Sequence, residues 1–187
     1  MRTESTLPGA WALAGTLMLL CAGIGPAVAR DATPPAQVVA TGWRVQGEAT
    51  MRFFGMPVYD ATLTVPSTFS VDAWPAQPLA LALRYHRSLS GTAIAERSLQ
   101  EMRRGGAIDE ARAARWLEFL KEALPDVRAG DRIVGRWSPA TGMVSLQHND
   151  GPAREIADPE FGTRFFGIWL APHTSEPGLR ARLLGTS

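Results

Sequence analysis

Residues 47–65, GEATMRFFGMPVYDATLTV, carry the pattern that decides the fold of this chain. The stretch is rich in β-branched and aromatic residues and predicts strands, with a bulge or bend at Gly55-Met56-Pro57 because proline disturbs a central strand. Arg52 lies among apolar neighbours in this stretch, and burying an arginine is costly unless a partner pairs with it. Arg52 therefore either reaches solvent from a strand face or meets an anionic partner in a pocket.

Arg52 and Tyr59 form the sharpest candidate site. They are seven residues apart, so regular alternation puts them on opposite faces, whereas a bulge at Gly55-Met56-Pro57 would bring them to the same face. An arginine and a phenolic hydroxyl together suit a carboxylate, through one charge-assisted and one neutral hydrogen bond. The alternative is a surface arginine and a packed tyrosine, and the sequence leaves both open.

The rest of the chain alternates strand patterns with capped helices. Residues 79–85, LALALRY, place every second residue on one apolar face, which predicts a strand. Ser90 or Thr92, Asp109 and Asp158 are N-cap residues ahead of amphipathic stretches. The element order β-β-β-α-α-β-β-β-α-α predicts an α+β fold, in which an antiparallel sheet is covered by helices on one face.

The first 29 residues predict a signal peptide. Arg2 supplies the positive end, residues 10–24 are apolar, and an A-x-A site ends at Ala29. The apolar run is too short for a comfortable transmembrane helix, so we expect export, a periplasmic location and no stable membrane insertion after cleavage. Residues 30–37 then form a linker, and residues 38–187 form one domain.

Composition and motifs exclude several classes of function. The net charge is +1, which gives no electrostatic case for nucleic acid. Cys21, the only cysteine, lies in the predicted signal peptide, and Lys121 is the only lysine, which argues against thiol and Schiff-base chemistry. No GxGxxG, P-loop, HExxH or GxSxG motif occurs, and His86, His148 and His173 stand singly. We therefore predict no metal and no cofactor.

Four blocks of sequence occur in an order that is typical of a known family: GEATMRFFGMPVYDATL, LALRYHRSL, GDRIVGRWSPATGMVSLQHNDG and DPEFGTRFFGIWLAPHTSEPGLRARLLG. Together they resemble the chalcone isomerase-like family, in particular its bacterial exported branch, and they extend over nearly the whole predicted domain. The resemblance implies an open-faced β-sandwich, a large antiparallel sheet with a helical layer, and a cleft between the two. In plant chalcone isomerases that cleft holds a flavonoid, and in fatty-acid-binding relatives it holds an acyl chain.

The resemblance also implies which arginine would meet a ligand. In the fatty-acid-binding relatives an arginine on an early strand contacts the anionic oxygen of the ligand. Arg52 is the best match to that position, and Arg44, in TGWR, is the competing alignment.

The plant catalytic pattern is not retained. The position of its threonine falls near Phe53 or Phe54, and its tyrosine and lysine fall near residues 89–93, where neither type occurs. Its late serine or threonine falls near Gly162 or Thr163. Without the hydroxyls that polarise a substrate ketone, chalcone isomerisation loses orientation and transition-state stabilisation, so whether the chain is an enzyme stays open.

Three hypotheses arise from these observations. The first is an exported, non-catalytic binder of an apolar acidic ligand such as a fatty acid, with Arg52 on the acid and Tyr59 or Tyr85 adding a hydrogen bond. The second is an isomerase (an intramolecular lyase) for a flavonoid-like or other small substrate, using Arg52 with Tyr85 or Thr163. The third is a structural or interaction protein whose cleft is filled by its own side chains. In the first hypothesis the apolar cavity is lined by Phe53, Phe54, Phe165 and Trp169.

Overall fold

A computed structural model describes residues 41–186 of the chain. The predicted signal peptide (residues 1–29), the predicted linker (residues 30–37) and the start of the predicted domain at residue 38 lie outside the described residues. The described residues thus make up most of the predicted domain.

The segments with strand patterns form one six-stranded antiparallel sheet. Its strands are ordered as they occur in the chain, each paired with the next, so the sheet is a simple meander. With a helical layer on one face, this is the α+β open-faced architecture that the sequence predicted. The strands are β1 (Trp43–Phe53), β2 (Met56–Pro66), β3 (Leu79–Tyr85), β4 (Arg132–Ser138), β5 (Met143–His148) and β6 (Arg154–Ala157).

The first hairpin corrects one prediction. Phe54 and Gly55 form a two-residue turn between β1 and β2, and both have positive φ, 48° and 79°. The prediction of a bulge or bend at Gly55-Met56-Pro57 is right about a change of direction, but the change is a full reversal of the chain, and Met56 already belongs to β2. A register shift does occur nearby, where Met51 pairs with Tyr59 and Arg52 pairs with Pro57.

Four helices and two short 3-10 segments complete the described part. Ser90, Asp109 and Asp158 cap helices as predicted, each accepting a backbone N–H with its side chain. Asp158 also accepts the indole N–H of Trp116 at 2.9 Å, which ties the second helix to the start of the third. The helices are α1 (Gly91–Met102), α2 (Glu110–Ala123), α3 (Pro159–Leu170) and α4 (Pro177–Leu184), and the 3-10 segments are Val71–Ala76 and Arg103–Gly105.

Alternation along the strands builds the core. On β3 the predicted inward residues are all buried, with exposed fractions of 0% for Leu79, 2% for Leu81, 7% for Leu83 and 3% for Tyr85. The opposite face of the sheet carries charged residues toward solvent, such as Arg84. One face of the sheet is therefore the core face, and the other is open.

The helices do not cover the core face evenly. α4 lies directly on β1 and β2, so close that a Cβ on Gly47 would collide with the backbone of Arg182 and Leu183. α3 packs over the far strands, and Gly162 leaves no room for a Cβ beside the Trp137 ring. α1 packs chiefly against α2 and α3 rather than on the sheet. Space therefore remains between α1 and the strands.

Within residues 41–186, none of the helices combines the length and the apolar character that crossing a bilayer requires.

Candidate functional site: a cavity between α1 and the sheet

A cavity of about 500 Å³ lies between the core face of the sheet and the helices α1 and α3. Its volume falls in the range of about 300–1,000 Å³ that is typical of small-molecule sites. Most of its wall is apolar, which suits a hydrocarbon ligand better than a sugar or a nucleotide. The apolar wall includes Met51, Val58, Leu83, Ile94, Ile133 and Ile168.

Two tyrosines from neighbouring strands form part of this wall. Tyr59 on β2 pairs in register with Tyr85 on β3, and their rings meet edge to face at 5.9 Å between centroids. The indole N–H of Trp169 donates to the Tyr59 hydroxyl at 3.0 Å. Among the described residues, the Tyr85 hydroxyl has no hydrogen-bond partner, so it can donate a hydrogen bond to a ligand.

Burial extends the pH range over which both tyrosines stay neutral. It raises the pKa of Tyr59 to about 12, and the Trp169 hydrogen bond acts in the opposite direction. Burial also raises the pKa of Tyr85, and the neighbouring Tyr59 adds to that effect. Both groups are thus neutral hydroxyls at physiological pH, able to donate to a carboxylate without repelling it.

Two arginines line the cavity, and within the described part of the chain only one of them forms a hydrogen bond or an ion pair. Arg97 on α1 places Nη2 2.6 Å from Glu101 Oε1 and donates through Nη1 to Gln100 Oε1 at 3.2 Å. Arg87, two residues after the end of β3 at Tyr85, is exposed and makes no hydrogen bond or ion pair among residues 41–186. Arg87 is therefore the cation in the wall that can pair with an anionic ligand.

Two carboxylates, Glu101 and Glu176, also line the cavity, and Glu101 is paired. The side chain of Glu101 is buried, with one oxygen bound to Arg97. The other oxygen, Oε2, lies 3.6 Å from Arg104 Nε, which is within ion-pair range but too long for a hydrogen bond. Because both of these arginines pair with Glu101, Arg87 is the unpaired cation of the wall, among the described residues, to which an acid group can bind.

The structure brings together five of the residues that the sequence singled out. Phe53, Tyr59, Tyr85, Phe165 and Trp169 all line the cavity. They come from three strands and from α3, and Phe165 and Trp169 are one helical turn apart with ring centroids at 5.5 Å.

Arg52 does not line the cavity. Met51 and Phe53 both do, so alternation points the intervening Arg52 to the opposite face of β1. Its Nη1 donates to the Gly55 carbonyl at 3.0 Å, across the hairpin turn and in solvent. Of the two alternatives left open by the sequence, the structure shows a surface arginine and a packed tyrosine, because the hairpin puts Arg52 and Tyr59 on different strands and Tyr59 pairs with Met51.

Three further candidates also lie outside the cavity wall. Arg44 is exposed near the far end of β1, where it pairs with Val65. Phe54 is at the hairpin turn and 88% exposed. Thr163 is exposed on α3, where its hydroxyl donates to the Pro159 carbonyl. The first hypothesis therefore loses Arg52 and Phe54 from its pocket, and the second loses Arg52 and Thr163.

Sequence reasoning missed the polar part of the wall. Helix α1 was predicted from the apolar stripe Ala95, Leu99 and Met102. A second stripe with the same spacing starts one residue earlier, at Ile94, Ser98 and Glu101, and it lines the cavity together with Arg97. The sequence therefore contained a signal: two adjacent stripes at i, i+4 and i+7, one apolar and one mixed, indicate that this helix has both a core face and a cavity face.

No group of three or more His, Cys, Asp or Glu side chains that could hold a metal ion occurs within residues 41–186.

Comparisons with known proteins agree with this architecture. A family model described as chalcone isomerase-like matches residues 33–185. An uncharacterised protein of Haemophilus influenzae is 28% identical over 109 residues, which is 58% of this chain and 52% of the relative, so the chain spans about half the length of that curated relative. The crystal structure of a fatty-acid binding protein of Arabidopsis thaliana superposes with a TM-score of 0.60 at 10% identity, over 78% of this chain and 88% of that one. At that identity the superposition shows a shared fold. Because the family model matches most of the chain, residues 33–185, this chain belongs to the chalcone isomerase-like family.

Proposed function

We propose that this protein is an exported, non-catalytic binder of an apolar ligand that carries an acid group, such as a fatty acid. The observation that carries the proposal is that the unpaired Arg87 and the free hydroxyl of Tyr85 both lie in the wall of one apolar cavity within the described part of the chain. The fatty-acid binding function stated for the Arabidopsis structure supports the same ligand class.

The proposed position of the ligand depends on the charges of the wall. The carboxylate lies at Arg87 and accepts from Tyr85, through one hydrogen bond from a charged donor and one from a neutral donor. Glu101 and its partner Arg97 lie on α1, where the two charges offset each other. The hydrocarbon chain then contacts Leu83 and the aromatic side chains of α3.

Export remains a proposal from the sequence. It rests on the leader-like first 29 residues, with their apolar run and the A-x-A site ending at Ala29. N-terminal sequencing of the protein recovered from the periplasm of its host tests it, and a first residue near Arg30 is expected. Recovery of the intact leader from the cytoplasm contradicts it.

Titration calorimetry with palmitate and with its uncharged analogue hexadecanol tests the binding proposal. Replacing Arg87 with Met removes the charge and keeps much of the length of the side chain. Because a hydrogen bond to a charged group contributes about 1.5–3 kcal/mol, palmitate affinity should fall about 10–100-fold, while hexadecanol affinity changes little. The Arg87→Met variant should therefore no longer prefer the acid to the alcohol.

Arg52→Met is the matched control, because Arg52 is an exposed arginine near the same hairpin but outside the cavity wall. It should leave the affinity for both ligands unchanged. If Arg52→Met weakens palmitate binding and Arg87→Met does not, Arg52 is the ligand arginine, as the sequence suggested, and the proposed ligand position is wrong. If the wild-type protein binds neither ligand, the binding proposal itself fails.

The two other hypotheses gain less from the site. Of the residues assigned to an isomerase, only Tyr85 lines the cavity, so the catalytic hypothesis keeps one of its three groups. Conversion of a flavonoid-type substrate faster than in buffer would revive it. A purely structural role called for a cleft filled by its own side chains, and a space of about 500 Å³ argues against that.

A further inference from the structure

The tip of the first hairpin, residues 53–57, exposes apolar side chains that the fold does not use. Phe54 is 88% exposed, Phe53 56% and Met56 54%, and Pro57 is exposed as well. The same tip forms one edge of the cavity, because Phe53 and Val58 also line it. An apolar surface that is continuous with the mouth of an apolar cavity needs an explanation beyond folding.

The backbone of the turn strengthens that point. A two-residue hairpin turn with positive φ at both residues strongly favours Asn-Gly or Asp-Gly, because a bulky side chain in the left-handed region is strained. Here Phe54 occupies the first position with φ of 48°. Within the described residues its ring contacts the neighbouring Phe53, at 4.5 Å between centroids, and remains almost fully exposed. Folding alone would select asparagine, so the phenylalanine is present against local preference.

The charges around the tip identify the kind of surface that would cover it. Arg52 is exposed at the base of the turn, and Arg87 lies close by, since the N–H of the preceding His86 donates to the Val58 carbonyl at 2.9 Å. The nearest acid on these strands, Asp60, is engaged by the Thr50 hydroxyl at 2.7 Å and by His86 at 2.8 Å. The apolar tip is thus flanked by two exposed cations, an arrangement that complements an anionic lipid surface.

We propose that the hairpin tip docks on an anionic lipid bilayer and places the mouth of the cavity against the membrane. The apolar part of the tip is one to two residues deep on each strand, which is about 3–7 Å because strands rise about 3.3 Å per residue. This depth suits the boundary between headgroups and acyl chains rather than a membrane span. Docking adds a membrane-facing step to the proposed function, but it rests on the tip and not on ligand affinity.

Flotation of the purified protein with vesicles tests the proposal. The vesicles are phosphatidylcholine alone, or phosphatidylcholine mixed in about equal amounts with phosphatidylglycerol. Wild type should float with the mixed vesicles, and less with phosphatidylcholine alone. Phe54→Asn removes the most exposed aromatic residue and supplies the residue that the turn prefers, so the thermal midpoint should stay the same or rise. Its partition onto mixed vesicles should fall about tenfold, since burying a phenylalanine contributes at least that factor.

Two controls separate the parts of the interaction. Val45→Ser changes another exposed apolar residue, 42% exposed at the far end of β1, and should leave vesicle binding unchanged. Arg52→Gln should weaken binding to mixed vesicles only, and added salt should have the same effect because it screens surface charge. Vesicle binding that is absent in wild type, or that survives Phe54→Asn unchanged, overturns the proposal.

Two more readouts distinguish the alternatives. Phe54 does not line the cavity, so Phe54→Asn should bind palmitate in solution as wild type does. If tip-dependent flotation is found but palmitate does not bind, the proposed function fails while membrane docking stands. A second copy of this chain could cover the tip instead, and sedimentation of the protein without lipid tests that alternative. A dimer that Phe54→Asn dissociates would make the tip a contact between two copies and overturn docking.

Discussion

The two ends of strand β3 show how one alternating pattern gives both a filled core and a cavity. Leu81 lies opposite Gly135 on β4, and the ring of Phe166 from α3 packs over that glycine. Leu83, two residues along the same face, lies opposite Ile133 and borders the cavity. Both leucines point inward and both are buried. What differs is the helical layer, which offers a large aromatic side chain at one end and the smaller and polar residues of α1 at the other.

This difference indicates that the strands define where the core face is, whereas the helices decide whether it is filled. A protein that only needed stability would close the space under α1, because interiors pack to crystal-like density and voids forfeit contacts. Under the proposed function the open end is the ligand-binding end of the molecule, and substitutions at the two ends should behave differently.

The largest expected contrast comes from truncating the two leucines. Leu81→Ala should lower the free energy of unfolding by about 2–5 kcal/mol, because it opens a new void in a filled region. Leu83→Ala should fall near the lower end of that range, since one side of Leu83 already faces empty space and fewer contacts are lost. Urea unfolding of both variants measures the contrast. Equal losses, or a larger loss for Leu83→Ala, would mean that the cavity end is filled in solution.

The next contrast concerns two glycines in the helical layer. Gly162→Ala should destabilise the protein by about 1–3 kcal/mol, because the added methyl collides with the Trp137 ring. Gly178 in α4 has no atom within 4 Å of its Cβ position, so Gly178→Ala should be neutral or stabilise by about 0.5–1 kcal/mol. Thermal unfolding measured by circular dichroism checks both, and a tolerated Gly162→Ala would show that α3 lies farther from β4.

Enlarging the same two leucines sharpens the comparison. Leu83→Phe grows into the cavity, so stability should change by less than about 1 kcal/mol while palmitate affinity drops about tenfold or more. Leu81→Phe overfills a packed region and should cost about 1–3 kcal/mol of stability. Calorimetry and unfolding on both variants test this, and a Leu83→Phe variant that binds palmitate normally would place the ligand elsewhere.

The last contrast is a dependence on alkaline pH. Burial raises the pKa of Tyr59 from 10.0 to about 12, and it raises the pKa of Tyr85 as well. A raised folded-state pKa contributes stability that is complete below pH 10 and is lost as pH rises through the folded pKa, because only the unfolded tyrosine releases its proton in that window. Each tyrosine should therefore reduce stability by about 1.4 kcal/mol per pH unit between pH 10 and about 12.

Urea unfolding between pH 9 and about 12 measures this slope. Tyr59→Phe and Tyr85→Phe should each make it shallower, and the double variant shallower still. A slope that the two substitutions leave unchanged would show that the tyrosines are open to water.

The sequence predicted the fold well because its signals are local. The alternation on β3, the N-caps Asp109 and Asp158 and the aromatic stripe of α3 each specify their element without reference to the rest of the chain. The exception is the turn at Phe54-Gly55, which lacks the asparagine or aspartate that usually marks a two-residue hairpin.

The site was only partly predictable, and the missed turn explains much of the error. Without the reversal, the sequence left open whether Arg52 and Tyr59 share a face, while in the structure they lie on two strands and different faces. Arg87 comes after the end of a strand, in a segment where no periodicity indicates direction. Its place beside the cavity depends on how α1 packs on α2 and α3, which is tertiary information that the sequence pattern does not contain.

The most direct test of ligand binding in the cavity is a crystal structure of the protein with a fatty acid that carries bromine on its terminal carbon. We expect anomalous scattering from the bromine inside the space between α1 and the sheet, with the carboxylate within hydrogen-bond distance of Arg87 and the Tyr85 hydroxyl. A space closed by its own side chains, or a carboxylate held at Arg52 on the opposite face of β1, would contradict the proposal.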